Sequence, residues 1–277
     1  MGMNALLLLF AVSGFCADEW ASTVQAWGKS LDIPEGVKLR VGDTGGSLAQ
    51  NEGDTITFNR EELAGLRDEL LSQGVSEKDL PRLLALKTLP VIAHELRHAR
   101  TQSEVAEATG RSFEFPLIED EVMSFAEELK VLRQTLQAEP RLAELRTRLD
   151  ETTYKDLQAA AAGGMAGLDA FVRQKYPRIP SVRTSSSEDL SSGYSRLGRD
   201  FGGRLGWIRE LQGQHDSSQF PAERADIQAA LARMGPAHDA ARLQRSAQEA
   251  AEFMADPERA ARFKGYYRSR LPSLSWR

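Results

Sequence analysis

The pair His94 and His98 constrains this chain more than any other feature of its sequence. Two residues four apart on a helix lie on the same face, about one turn from each other, so both imidazoles can reach one metal ion. Glu95, next to the first histidine, can then reach a water on that metal and accept its proton. The spacing predicts a zinc site with two histidine ligands and a glutamate as general base.

The segment that leads up to and includes this pair, residues 83–96, is largely apolar, which favours a buried helix. The apolar residues are Leu83, Leu84, Leu86, Leu89, Val91, Ile92 and Leu96. Burying two histidines and a glutamate without a partner is costly, and a metal ion supplies that partner. The alternative is a surface helix with two solvated imidazoles. Pro90 predicts a helix start nearby, with Pro90 in the first turn and Thr88 as the N-cap.

A catalytic zinc needs a third protein ligand and an open position for water. The stretch from Gln102 to Arg111 contains no histidine, which excludes a third histidine shortly after His98. The next helical stretch, from Leu117 to Ala126, instead offers three consecutive acids: Glu119, Asp120 and Glu121.

The sequence His-Glu-Leu-Arg-His at 94–98, followed by an acidic helix, resembles the gluzincin type of zinc metallopeptidase. In several bacterial gluzincins the later helix is similar to Glu-x-Glu-Ala-(Asn/Asp)-x-Phe-Ala, which is matched by Glu119, Glu121, Phe125 and Ala126. Val122 and Met123 depart from that pattern and remove an Asn or Asp that often supports a ligand histidine. The resemblance spans about residues 37–130 and implies a zinc-dependent peptidase whose third ligand is a glutamate.

Helix geometry favours Glu119 over its neighbours as this ligand. An apolar stripe recurs at steps of three and four: Ile118, Val122, Phe125, Leu129, Leu132 and Leu136. Glu119 borders the stripe, whereas Glu121 shares a face with Ser124 and Glu128. That grouping predicts a solvated Glu121, and Asp120 is predicted to be solvated as well. The alternative is that the acids simply follow Pro116 at a helix start, where the helix dipole favours negative charge.

The chemistry expected of such a site follows from its parts. Zinc would lower the pKa of its bound water to about 7, and Glu95 would take the proton as the water attacks a carbonyl. Gluzincins commonly add a downstream residue that stabilises the oxyanion. The candidates here, among which the spacing does not select, are Tyr154, Tyr194, His215 and His238.

Two upstream segments, at residues 37–41 and 55–58, alternate polar and apolar residues and predict strands. Turn-forming residues lie between them, at residues 42–46 and 51–54. By the resemblance, residues 55–58 would form a sheet edge that lines the cleft and pairs with an extended substrate. The alternative is a plain hairpin that covers the core.

The N-terminus predicts export. The apolar run Ala5–Val12 is too short to span a bilayer but suits the core of a signal peptide covering residues 1–17. The protein would then be periplasmic or secreted, with Cys16 either removed or lipid-modified. A mature chain without Cys16 has no cysteine and therefore no disulfide. The alternative is a buried N-terminal helix.

The C-terminal half, residues 139–277, is predicted to be helical, with helix breaks at Gly163-Gly164, Gly235-Pro236 and Pro257. The glycine-rich stretch from Gly198 to Gly206 lacks the spacing of a phosphate loop and predicts a turn or close helix packing. This half would complete the catalytic domain or form a separate module.

Composition sets the remaining limits. A chain of 277 residues with 41% hydrophobic residues can bury a proper core, and its net charge of -5 argues against nucleic acid as the partner. The sequence thus predicts a mainly helical α+β protein with a zincin-like core at 18–138, in which a small sheet packs on the helix of His94. The predicted function is zinc-dependent cleavage of peptides or proteins, without an integral membrane segment. The alternatives are a non-catalytic zincin-like binding protein and a helical interaction protein with a fortuitous histidine pair.

Overall fold

A computed structural model describes Trp20, Val24, Thr44 and residues 38–42, 48–52, 55–111, 117–138, 152–177, 179–235 and 237–271. The predicted signal peptide and Cys16 lie outside the described residues, as does the side chain of Tyr154.

The described part of the chain contains three strands and nine helices. The strands are β1 (Lys38–Gly42), β2 (Ala49–Glu52) and β3 (Thr55–Asn59). The helices are α1 (Arg60–Ser72), α2 (Leu80–Thr109), α3 (Ile118–Ala138), α4 (Thr152–Ala162), α5 (Gly164–Lys175), α6 (Ser187–Ser217), α7 (Pro221–Met234), α8 (Ala237–Met254) and α9 (Pro257–Arg270). The prediction of a mainly helical chain with a small sheet is confirmed. Among these helices none combines the length and the apolar character needed to cross a membrane.

The sheet has the order β1-β3-β2, with β1 parallel and β2 antiparallel to β3. Alternation in β3 turns Ile56 and Phe58 into the core, as the sequence pattern predicts. Strand β2 occupies residues that the sequence assigns in part to a turn. The prediction that residues 55–58 form a sheet edge is wrong, because β3 pairs with a strand on each side.

Side chains from the sheet and from α2 share one hydrophobic core. Its fully buried members include Trp20, Ile56, Phe58, Leu63, Leu70, Leu83, Leu89 and Ile92. Trp20 sets its ring edge-on to Phe58, 5.5 Å between centroids, and donates from Nε1 to Thr88 Oγ1 at 3.0 Å. The small sheet therefore packs on the helix that carries His94, as the sequence predicts.

Helix α2 begins at Leu80, ten residues before Pro90, so the expected start with Thr88 as N-cap is wrong. Residues 80–89 continue the helix because their leucines face the core. Thr88 lies inside the helix and donates its hydroxyl to the carbonyl of Leu84 at 2.8 Å. Pro90 is accommodated although its ring removes one backbone donor.

The chain divides into two compact units. The described part of the first unit contains the sheet, α1, α2 up to Ala99, α3 from Ser124, α4 and the start of α5. The second unit contains residues 100–123 and 169–274, with helices α6 to α9.

In the second unit, α6 and α8 pack closely through two glycines. A Cβ on Gly198 would meet the Ala247 Cβ at 3.3 Å, and one on Gly202 would meet the Gln244 side chain at 2.7 Å. Close helix packing is thus the correct interpretation of the glycine-rich stretch. The three predicted helix breaks are also confirmed, since α5, α8 and α9 begin at Gly164, Ala237 and Pro257.

Candidate metal centre

Helix α2 brings His94 and His98 together as their spacing predicts. Their Nε2 atoms lie 3.0 Å apart, and their ring centroids are 4.8 Å apart at an interplanar angle of 70°. His94 is buried, with 8% of its surface exposed, and His98 is half-buried. The Nε2 atoms of the two imidazoles are therefore close enough to contact one shared ligand.

The other ring nitrogen of His94 is held by a carboxylate on α3. His94 Nδ1 lies 3.0 Å from Glu128 Oε2, and both side chains are 10% exposed. A carboxylate that is ionised only accepts hydrogen bonds, and beside such a carboxylate Nδ1 would carry the proton and Nε2 would present its lone pair. The ring of Phe125 packs edge-on against the same imidazole at 4.7 Å between centroids. This is the outer-shell arrangement that fixes the tautomer and orientation of metal-binding histidines.

His98 has a weaker support of the same kind. Ser124 Oγ, one turn before Glu128 on α3, lies 3.3 Å from His98 Nδ1. A hydroxyl donates or accepts, so it can stabilise either tautomer of His98. Both Nδ1 atoms thus contact α3, and the two Nε2 atoms meet each other at 3.0 Å, where a shared ligand could replace their contact.

Glu121 is the acid that the structure groups with the histidines. One ligand atom each from His94, His98 and Glu121 lie within 4.8 Å of one another. Glu121 precedes Ser124 by three positions and Glu128 by seven, which places the three on one face of α3. The prediction of a solvated Glu121 is wrong, because this face is directed toward the histidines and Glu121 is only 6% exposed.

Glu119, the predicted third ligand, has different partners. Its carboxylate is fully buried and accepts hydrogen bonds from Ser181 Oγ at 2.6 Å and from the Val182 amide at 2.9 Å. The amide and Nε of Arg183 donate to it at 3.3 and 3.2 Å. Glu119 is not part of the group that contains the histidines. Asp120 is also buried, at 4% exposure, so its prediction as a solvated residue is wrong.

The donor set fits zinc. Two nitrogens bound at 2.0–2.1 Å with a tetrahedral angle lie about 3.3 Å apart, close to the 3.0 Å between the Nε2 atoms. Two imidazoles and one carboxylate, each within a short distance of the others, are the protein ligands of many catalytic zinc sites. The three ligand atoms together lie within 4.8 Å of one another, so a shared zinc would have to draw them closer to the spacing of about 3.3 Å between tetrahedral ligands.

Glu95 lies between the two histidines in sequence and keeps partial access to solvent. Its backbone carbonyl accepts a hydrogen bond from Asn51 Nδ2 of β2 at 3.4 Å. This contact at Glu95 comes from β2, and not from the predicted segment 55–58.

The structure does not select one residue among the candidates for stabilising the oxyanion. Tyr194 is 1% exposed inside the second unit, and burial, followed by the charges of Asp120 and Glu119, raises the pKa of its hydroxyl well above the ordinary value. His215 lies in the last turn of α6 beside Asp216, and His238 is exposed at the start of α8.

Three contributors to the centre escaped the sequence analysis: Glu121, Ser124 and Glu128. Helical periodicity offers no signal for them. Glu121, Ser124 and Glu128 share the polar side of α3, opposite the apolar arc of Ile118, Val122, Phe125 and Leu129, and such a polar side is ordinarily solvated. It is the packing of the folded chain that buries it, with Glu121 and Glu128 at 6% and 7% exposure.

Comparisons of the chain with protein-family models, with curated proteins and with solved structures give no match. Only the residues and the geometry described above bear on the function of the chain.

Proposed function

We propose that this protein is a zinc-dependent metallopeptidase in which His94, His98 and Glu121 hold the metal and Glu95 is the general base. The observation that carries the proposal is the convergence of the two Nε2 atoms at 3.0 Å, with Glu128 on the opposite nitrogen of His94. Glu121 replaces Glu119 in this proposal because its oxygen belongs to the same group of ligand atoms.

Each side chain of the proposed site has a role that follows from its position. Zinc, when bound, supplies a water of pKa about 7 and polarises the carbonyl under attack. Glu95 accepts the proton of the attacking water on its carboxylate and returns it to the leaving amine. Glu128 keeps the proton of His94 on Nδ1, so that Nε2 remains a ligand. Glu95 and His98 are both partly exposed, which a site that admits water and a substrate carbonyl requires.

The experiment that tests this proposal compares the parent with Glu95→Gln. The zinc-loaded parent should cleave members of a peptide library, and the variant should lose at least about 100-fold in kcat/KM, the low end for a general base. The variant should keep its zinc, since Glu95 is not a ligand. Glu107→Gln, an exposed acid on the same helix, serves as the matched control and should cleave like the parent.

Two outcomes would reject parts of the proposal. Equal cleavage by Glu95→Gln and the parent would show that the general base is wrong. Zinc bound without any cleavage, by a parent of intact fold, would favour the alternative of a non-catalytic metal-binding protein.

A further inference from the structure

A closed ring of side chains in the second unit surrounds the carboxylate of Glu119. Ser181 Oγ donates to Glu119 Oε1 at 2.6 Å, and Arg173 Nη2 donates to Ser181 Oγ at 2.9 Å. Arg173 Nε pairs with Asp169 Oδ2 at 2.9 Å, and Asp169 Oδ1 also accepts from Arg183. Arg183 Nε returns to Glu119 at 3.2 Å and closes the ring.

The ring is attached to the first turn of α3. The amide of Ile118, the first residue of α3, donates to the carbonyl of Pro180 at 3.1 Å. One residue later, Glu119 receives the amides of Val182 and Arg183. Segment 180–183 therefore holds the start of the helix by backbone and side-chain bonds together.

Burial makes this attachment strong. Glu119 and Val182 are fully buried and Ser181 is 3% exposed, so water does not compete for these bonds. Arg183 and Arg173 are about one-third exposed, and each shares Asp169, so the buried charge of Glu119 is balanced within the ring.

Glu121 lies two residues beyond Glu119 on the same helix, so the ring also determines where Glu121 stands. A rise of about 1.5 Å per residue puts the two Cα atoms roughly 3 Å apart along the helix axis. Catalytic sites hold their ligands within about 0.5 Å of the productive geometry. A loosened first turn would therefore spread the ligand atoms of the candidate metal centre.

We infer that Glu119 is a positioning residue for the metal centre: with Ser181, Arg183, Asp169 and Arg173 it fixes the first turn of α3 and thereby Glu121. This inference rests on the proposed function, since it assumes that Glu121 is a zinc ligand. It also gives the C-terminal helical half a role in the site, because four members of the ring come from residues 169–183.

The test measures the zinc dissociation constant by competition with a chelator for the parent, Glu119→Gln and Asp169→Asn. Each ring variant should bind zinc about 10-fold more weakly, at the lower end for outer-shell changes. Glu127→Gln is the matched control, because Glu127 is an acid on α3 that pairs within its own helix, with Lys130 at 2.9 Å. Its zinc affinity should equal that of the parent.

Circular dichroism and urea unfolding of the metal-free proteins separate positioning from stability. Weaker zinc binding by variants that remain folded would support the inference. Unchanged zinc affinity, with or without a lower urea midpoint, would overturn it while leaving the proposed function intact. Absence of zinc binding by the folded parent would overturn both. Asp169→Asn, whose side chain is partly exposed, provides the answer if Glu119→Gln does not fold.

Discussion

Glu119 and Glu121 are two acids of one helix with nearly equal burial and different surroundings. Glu119 is surrounded by donors, namely a hydroxyl, two amides and a guanidinium. Glu121 lies with two imidazole nitrogens whose lone pairs a metal can share. The difference teaches that burial alone does not identify a ligand. An acid whose hydrogen bonds are provided by the protein is structural, whereas an acid beside other Lewis bases is a candidate for metal binding.

Of the changes considered, the loss of the Glu119 carboxylate is expected to have the largest effect on stability. Glu119→Ala should lower the free energy of unfolding of the metal-free protein by about 3 kcal/mol, the low end for breaking a buried pair, because Arg183 keeps Asp169. Glu121→Ala should lower it by less than Glu119→Ala does, since the imidazoles keep Glu128, Ser124 and each other.

Urea unfolding in the presence of a chelator measures both values. The reverse order, with Glu121→Ala as the more damaging change, would mean that the two acids have been assigned to the wrong roles.

A second prediction compares the supports of the two histidines. Glu128→Gln should weaken zinc binding by about 10- to 100-fold, because a neutral amide holds the His94 tautomer less firmly than a carboxylate does. Ser124→Ala should weaken it less, by at most about 10-fold, since its oxygen is neutral and 3.3 Å from His98. Chelator competition gives both constants, and equal losses would show that α3 does not orient the histidines in the proposed way.

The smallest expected effect is a change of stability at alkaline pH, and it concerns two tyrosines near Glu119 and Asp120. Burial first, and then the carboxylate of Asp120, raise the pKa values of Tyr194 and Tyr267 above the ordinary value of 10. Because the folded-state pKa values are raised, the stability that these tyrosines contribute is complete below pH 10 and is lost as the pH rises beyond it. We expect both hydroxyls to ionise only as the chain unfolds.

An alkaline titration that follows tyrosinate absorbance and circular dichroism together tests this expectation. The double variant Tyr194→Phe and Tyr267→Phe should lack the late step. If all 5 tyrosines of the parent ionised near pH 10 while the helix signal stayed constant, the buried environment would be refuted.

Much of the fold was predictable because it depends on local patterns. The alternation at Ile56 and Phe58, the glycine and proline breaks and the i, i+4 histidine pair each determine a structure over a few residues. Strand β2 was not predictable in this way, since Ala49–Glu52 lacks an apolar alternation and pairs through its backbone with β3.

The site was predictable only in part, for a related reason. His94, Glu95 and His98 follow from spacing on a single helix. The choice between Glu119 and Glu121 depends on what packs against each face of α3, and Ser181 lies 62 residues away from Glu119 in sequence. Glu121 was placed correctly with Ser124 and Glu128 by helical periodicity, but the periodicity could not show that this face is buried.

Zinc content tests the central claim most directly. After zinc loading and removal of free metal, the parent and Glu119→Gln should each carry close to one zinc per chain, and Glu121→Ala should carry almost none. A parent that binds no zinc would contradict the proposed metal centre. A zinc-loaded Glu121→Ala beside a zinc-free Glu119→Gln would return the third ligand to Glu119.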